Sequence, residues 1–229
     1  PEIMWQFGEA VRGIGDACRA LDVPITGGNV SLYNETEGRA IYPTPVLGVV
    51  GLLPDASRTV TRVFRSAGDA VVVLGENRGE LGGSEYLARV CELVAGQPPV
   101  LDLAGERALQ TLIVSLVRDE LVRSSHDCSD GGLAVTLAEC TFGSGGIGVE
   151  VTLDGVRTVP AAFIEAATLF GESASRIVVS VADGAVAQVL QAAAAAGVPA
   201  QVIGRTGGTD IRIDVDGRTA VRQPVAQAE

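Results

Sequence analysis

From about residue 57 onward, short β-branched runs alternate with stretches of helical rhythm, and this alternation constrains the fold more than anything else in the chain. Val71 to Leu74 reads as a strand. Ser84 to Val94 and Leu103 to Leu121 read as helices, the second with apolar residues at 109, 112, 113, 116, 117 and 121. Gly131 to Phe142 is expected to be helical, Ile147 to Leu153 a strand, and Pro160 to Leu169 a helix started by its proline. Arg176 to Val181 follows as a strand, Gly184 to Ala196 as an Ala-rich helix stopped by Gly197, and Ala200 to Arg205 as a strand. Ile211 to Val215 alternates, turns at Asp216-Gly217 and returns through Thr219 to Val221, the pattern of a hairpin. Strand–helix alternation together with a hairpin predicts an α+β class with a mixed sheet and packed helices.

The first 55 residues have a different texture. Ile3, Met4, Phe7, Val11, Ile14, Cys18 and Leu21 mark one stripe of an amphipathic helix, stopped at Asp22-Val23-Pro24. This helix reads as the last one of something larger, and its apolar face is expected to be exposed or to drive dimerisation of the isolated chain. Pro43-Thr44-Pro45 is a rigid connector, and the apolar run Val46 to Leu53 is expected to be a buried strand ended by Pro54. The boundary is expected near residues 54 to 58. The predicted division is 1–55, then a complete domain over 56–222, then a frayed polar tail over 223–229.

Charge narrows the function classes. The 229 residues carry 17 basic against 28 acidic side chains, net −11, and every basic residue is Arg. Lysine nucleophiles, Schiff bases and P-loop lysines are excluded. Scattered arginines on an acidic chain argue against nucleic-acid binding, which needs clustered positive charge. A magnesium-chelated nucleotide stays possible, because backbone amides and metal carry phosphates without a basic patch. Hydrophobic residues at 47% exclude disorder, and the apolar stretches are far shorter than the ~20 residues of a membrane span. Cys18, Cys91, Cys128 and Cys140 have no paired metal-ligand spacing, and reduced buried thiols with no secretory start point to a cytoplasmic protein.

Four stretches combine small, polar and acidic residues at expected element ends. Thr26-Gly27-Gly28-Asn29-Val30-Ser31 offers close backbone approach, an amide oxygen suited to a hard cation and a hydroxyl; the bland alternative is a hairpin corner using positive φ at Gly and Asn. Gly79 to Tyr86 contains a Gly-Gly turn before Ser84, an N-cap or a phosphate-binding turn. Ser125 to Leu133 holds His126, Asp127, Cys128 and Asp130 ahead of a helix, where the two aspartates hold a metal or cap the helix. A His126–Cys128 nucleophilic pair is disfavoured for want of an electropositive partner. Leu169 to Arg176 holds Glu172 and Ser173 in a turn, with Arg176 expected to pair with a carboxylate.

Taken together, these motifs resemble the phosphoribosylformylglycinamidine synthase family, in its PurL-type synthetase subunits of the PurM-like superfamily. The residues that carry the resemblance are Gly27 to Thr36 with Pro43-Thr44-Pro45 and Gly48 to Gly51, Glu80 to Tyr86, His126 to Leu133 and Leu169 to Ser173, in the family order. It implies two tandem repeats in the complete protein, with this chain its carboxy-terminal part: 1–55 the tail of the second ATP-binding, PurM N-terminal-like domain, and 56–222 the second PurM C-terminal-like domain. The implied reaction is ATP-dependent amidine formation. ATP activates the amide oxygen of formylglycinamide ribonucleotide as an iminophosphate, and glutamine-derived ammonia displaces phosphate. Position by position, Gly28 is expected at ATP, Asn29 at Mg²⁺ and Ser31 at the substrate. His126, Asp127, Glu172 and Ser173 match second-repeat pocket positions, which are expected to line a structural nucleotide pocket. The family's catalytic histidines have no match in these residues, so the fragment is expected to be inactive alone. Implied partners are a glutaminase subunit and a small PurS-type subunit. A non-catalytic scaffold domain and another PurM-like ATP-dependent enzyme are the alternatives.

Overall fold

A computed structural model describes residues 2–31, 35–53 and 55–229, and the chain divides into two compact units, Pro1–Pro54 and Asp55–Glu229. In the first unit, α1 (Glu2–Leu21) carries the expected apolar rhythm but buries none of its residues; Ile3, Met4, Trp5 and Val11 are exposed. A two-residue hairpin, β1 (Glu35–Thr36) with β2 (Arg39–Ala40), is the only strand pairing among its described residues. The run Val46 to Leu53 is not a strand. It carries no ladder, and Val46, Val50 and Leu52 are each more than 90% exposed. An apolar run becomes a buried strand only beside a partner edge, and none pairs with it among the described residues.

The second unit is built on a seven-stranded sheet. Its strands are β3 (Ala70–Leu74), β4 (Ser124–Asp127), β5 (Val149–Leu153), β6 (Ile177–Val181), β7 (Ala200–Thr206), β8 (Asp210–Val215) and β9 (Arg218–Pro224), in the order β4-β6-β3-β7-β5-β8-β9. Only β5–β8 is parallel, so the sheet is mixed, as the alternation with a terminal hairpin required.

All five residues of β3 are buried, because helices cover both sheet faces there. Val71 and Val73 join one core with α4 (Gly132–Thr141), α5 (Ile164–Phe170) and α7 (Val225–Ala228). Val72 and Leu74 join the other, beneath α3 (Leu103–Arg118) and α6 (Val186–Ala195). At about 1.5–3 kcal/mol per fully buried aliphatic side chain, β3 anchors both layers. By contrast, β5 buries only Val149, Val151 and Leu153, its outward Glu150 and Thr152 being solvated.

Several boundaries differ from expectation. The helix at Ser84 is α2 (Glu85–Val90), one and a half turns, because the chain turns through Glu92 at φ 53°. The Pro160 segment starts as a 3₁₀ turn over Ala161–Phe163 before α5. The tail is ordered rather than frayed up to its last turn: β9 reaches Pro224, and Val225 is 2% exposed in the core beside α4. Among the described residues, no helix is long and apolar enough to cross a membrane.

Candidate functional site

Three of the four motifs meet in the second unit. The turn Gly171 to Arg176 lies between α5 and β6 and touches both of the others. Glu172 is the hub: its Oε1 accepts the Glu85 N–H at the start of α2 (2.9 Å) and the Gly131 N–H at the N-cap of α4 (2.8 Å). Its own N–H donates to the Glu80 carbonyl at 2.8 Å, and the Cys128 N–H donates to the Arg176 carbonyl at 2.9 Å. Tyr86 stacks on Phe170 with ring centroids 5.1 Å apart, which fixes α2 against the end of α5.

Glycine makes this convergence possible at two crossings. Gly132 sits at φ 66°, and a Cβ there would lie 2.6 Å from the Gly171 carbonyl oxygen. Gly75, at φ 93° after β3, would place a Cβ 2.0 Å from the Ser175 oxygen. Neither position has room for a side chain, so the main chains of the two loops pass in direct contact.

Arg176 stiffens the turn from inside. Only 2% exposed, it donates from Nε to the Ser173 carbonyl (2.9 Å) and from Nη2 to the Gly171 carbonyl (2.6 Å). The expected carboxylate ion pair does not form: among the described residues Arg176 makes no salt bridge, and its Nη1, like Glu80 Oε2, has no hydrogen-bond partner. Burial lowers the pKa of its guanidinium, which the fields of Cys128, Glu80 and Glu172 oppose. An Arg directly before a strand in which four of five residues are apolar was the available sign that this charge is buried.

A cavity of about 360 Å³ opens beside this junction, with Glu106, Asp127, Ser129, Asp130, Glu172 and Arg176 in its walls. The Ser129 hydroxyl first, then main-chain and His126 contacts, hold the Asp127 carboxyl below its ordinary range, so it is ionised at neutral pH. Asp130 does not cap α4; Gly131 occupies that position in the left-handed region with no side-chain bond. His126 and Ser173 do not line the cavity. His126 Nε2 faces Glu139 Oε2 at 2.8 Å, and Ser173, 1% exposed, accepts the Arg78 N–H at 3.1 Å. Cys128 is a buried core residue at the edge of this cavity, where burial raises its thiol pKa. Both ring nitrogens of His126 face carboxylates, those of Asp127 and Glu139, rather than the thiol. Sequence reasoning missed Glu106, which accepts the Ser175 hydroxyl at 2.6 Å and closes α3 onto the turn. Its place on a helix face gave no sign of that.

The remaining motif lies in the first unit. Gly27, Gly28, Asn29 and Ser31 are exposed in chain without regular secondary structure; Leu32, Tyr33 and Asn34 fall outside the described residues. Neither Gly27 nor Gly28 has positive φ, nor has Asn29, so the hairpin-corner explanation for these residues does not hold. A Cβ added at either glycine would meet nothing within 4 Å, so the backbone is open to close approach. The donor set of main-chain amides, one amide oxygen and one hydroxyl is neutral and hard. It fits a Mg²⁺ whose other ligands are phosphate oxygens rather than a free ion held by carboxylates. No group of three or more His, Cys, Asp or Glu side chains among the described residues would hold a metal alone.

The family model "AIR synthase related protein, C-terminal domain" matches residues 66–216, and its N-terminal-domain counterpart matches residues 1–53. Phosphoribosylformylglycinamidine synthase subunit PurL of Anaeromyxobacter sp. (strain Fw109-5) is 49% identical over 230 residues, covering 99% of this chain and 30% of that protein. The same subunit of Moorella thermoacetica is 49% identical over 219 residues, covering 96% of this chain and 29% of that protein. The chain therefore spans about 30% of the length of these relatives. Thermotoga maritima PurL complexed with ATP superposes with a TM-score of 0.60 at 18% identity, over 76% of this chain and 27% of that one. The complex described as holding FGAR gives 0.63 at 19% identity, over 76% and 30%. Likeness at that identity establishes the fold.

Proposed function

The chain belongs to the AIR synthase related protein family, and on that premise we propose that it is part of a phosphoribosylformylglycinamidine synthase. The complete enzyme would convert formylglycinamide ribonucleotide, ATP and glutamine-derived ammonia into formylglycinamidine ribonucleotide, ADP and phosphate. A glutaminase subunit and a small PurS-type subunit would serve as its partners in the cytoplasm. The observation that carries this reading is 49% identity to a PurL subunit across 99% of the chain.

Within that reaction this chain contributes binding groups. Gly28 presents its main chain to the triphosphate, Asn29 its side-chain oxygen to Mg²⁺ and Ser31 its hydroxyl to the ribonucleotide. ATP, when bound, supplies the phosphoryl group that activates the amide oxygen. Uncharged donors suit this task, because the metal already offsets the phosphate charge and a further carboxylate would repel it. None of these groups moves a proton, so the chain is expected to be inactive without the rest of the protein.

The test is Asn29→Ala in the full-length protein. KM for MgATP should rise about tenfold or more, the rise shrinking at high Mg²⁺, while the fold is unchanged. Unchanged KM and activity would place the nucleotide elsewhere. A second reading stands beside this one, a structural nucleotide pocket in the second unit. The resemblance implies it at Asp127 and Glu172, which wall one cavity together with Arg176, a guanidinium whose Nη1 has no partner among the described residues and could meet a phosphate. A nucleotide held there would survive extensive dialysis without turning over.

A further inference from the structure

We propose that Glu172 is a positioning residue: through one carboxylate oxygen it holds the first turn of α2 and the turn entering α4 in register, and so shapes the cavity of the second unit. The expectation from sequence was a side chain lining a structural nucleotide pocket. The geometry assigns a different role to at least half of the group. Oε1 is shared by two main-chain donors, Glu85 N–H at 2.9 Å and Gly131 N–H at 2.8 Å, from segments 46 residues apart. Both are helix-start amides, which have no intrahelical acceptor and need an outside one. Ser84 already caps α2 through Leu87 N–H, and α4 has no side-chain cap of its own, so Glu172 supplies what each start lacks.

The anchor itself is rigid. Arg176 closes the same turn onto the Gly171 and Ser173 carbonyls, and the Glu172 N–H is fixed on Glu80. A displacement of Glu172 would therefore shift Ser129 and Asp130, which lie at the cavity wall just before Gly131, against Asp127, which β4 holds opposite Ile177. Acceptance by a single oxygen also makes a specific demand. A glutamine carbonyl meets it; an alanine does not, and an aspartate is one methylene too short to reach both donors.

Hydrogen exchange and ligand titration on the full-length protein separate these roles. In Glu172→Ala, peptides covering 82–87 and 128–133 should exchange at least about tenfold faster, while β3 peptides stay as in the parent. In Glu172→Gln both peptides should stay within about threefold of the parent. If Glu172→Ala does not fold, Glu172→Asp takes its place, with the same acceleration expected. Unchanged exchange in Glu172→Ala, or in Glu172→Asp where that replaces it, overturns the proposal. MgADP titration supplies the second arm, which rests on the structural-pocket reading above; the exchange arm does not. Affinity retained within about threefold in Glu172→Gln and lost about tenfold in Glu172→Ala supports positioning. Equal loss in both variants shows that the charge itself meets the ligand and overturns it. A parent protein that binds no MgADP at this cavity defeats the pocket reading alone and leaves exchange to decide the clasp.

Discussion

At the scale of single residues, the second unit depends on places where a side chain is forbidden as much as on those where one is needed. Gly132 combines φ 66° with a carbonyl 2.6 Å from where its Cβ would sit, whereas Gly143, at φ 75°, has nothing within 4 Å. Left-handed backbone alone costs a non-glycine residue about 1–2 kcal/mol, and the clash adds to it. Gly143→Ala should thus lower stability by about 1 kcal/mol and Gly132→Ala by at least about 3 kcal/mol, measured by urea unfolding. Equal costs at the two sites would mean that the loops at Gly132 and Gly171 do not touch. The cysteines show how residue type misleads at this scale. Cys128 and Cys140 are buried, and burial raises both thiol pKa values, which works against the thiolate that a nucleophile needs.

Elements repeat the lesson with different physics. α2 is too short to be stable by propensity, since one and a half turns do not offset the cost of nucleation. It persists through its ends: the Ser84 hydroxyl accepts from Leu87 N–H at 3.3 Å and donates to the Leu81 carbonyl at 2.6 Å, and Tyr86 stacks on Phe170. Ser84→Ala should cost about 1–2 kcal/mol and speed exchange across 85–90 without disturbing β3. No change in either would mean that tertiary stacking alone holds the helix. The run Val46 to Leu53 is the converse case. Its composition is more apolar than that of most strands in the sheet, yet it forms none, because hydrophobicity drives burial while a strand needs hydrogen-bond partners as well. In the second unit the alternation of Glu150 and Thr152 with valines was a better guide, since it encodes one covered face and one wet one.

For the whole molecule, every residue of both cores lies between Phe64 and Ala228, so the second unit holds a complete hydrophobic interior. A polypeptide of residues 55–229 should unfold in one cooperative urea transition, within about 1 kcal/mol of the same unit in the longer chain. A broad, non-cooperative transition would show that the first unit supplies part of its stability. The first unit has no interior of its own: none of its described residues is buried.

What the sequence alone determined is the local order of the second unit and the composition of its motifs. Periodicity placed its strands and helices apart from β4, because patterns of 2 and 3.6 residues follow from which face is dry, and Ser124-Ser125-His126-Asp127 carries no apolar residue to show one. It also marked Gly28, Asn29 and Ser31 as neutral oxygen and amide donors, since that chemistry resides in residue type. Long-range contacts in the folded chain settle which motifs meet, how one oxygen of Glu172 serves two helix starts, and that Arg176 turns inward onto carbonyls while His126 turns to Glu139. Those outcomes depend on contacts between segments tens of residues apart, and a hydrogen-bond partner across such a distance leaves no periodic trace in the chain.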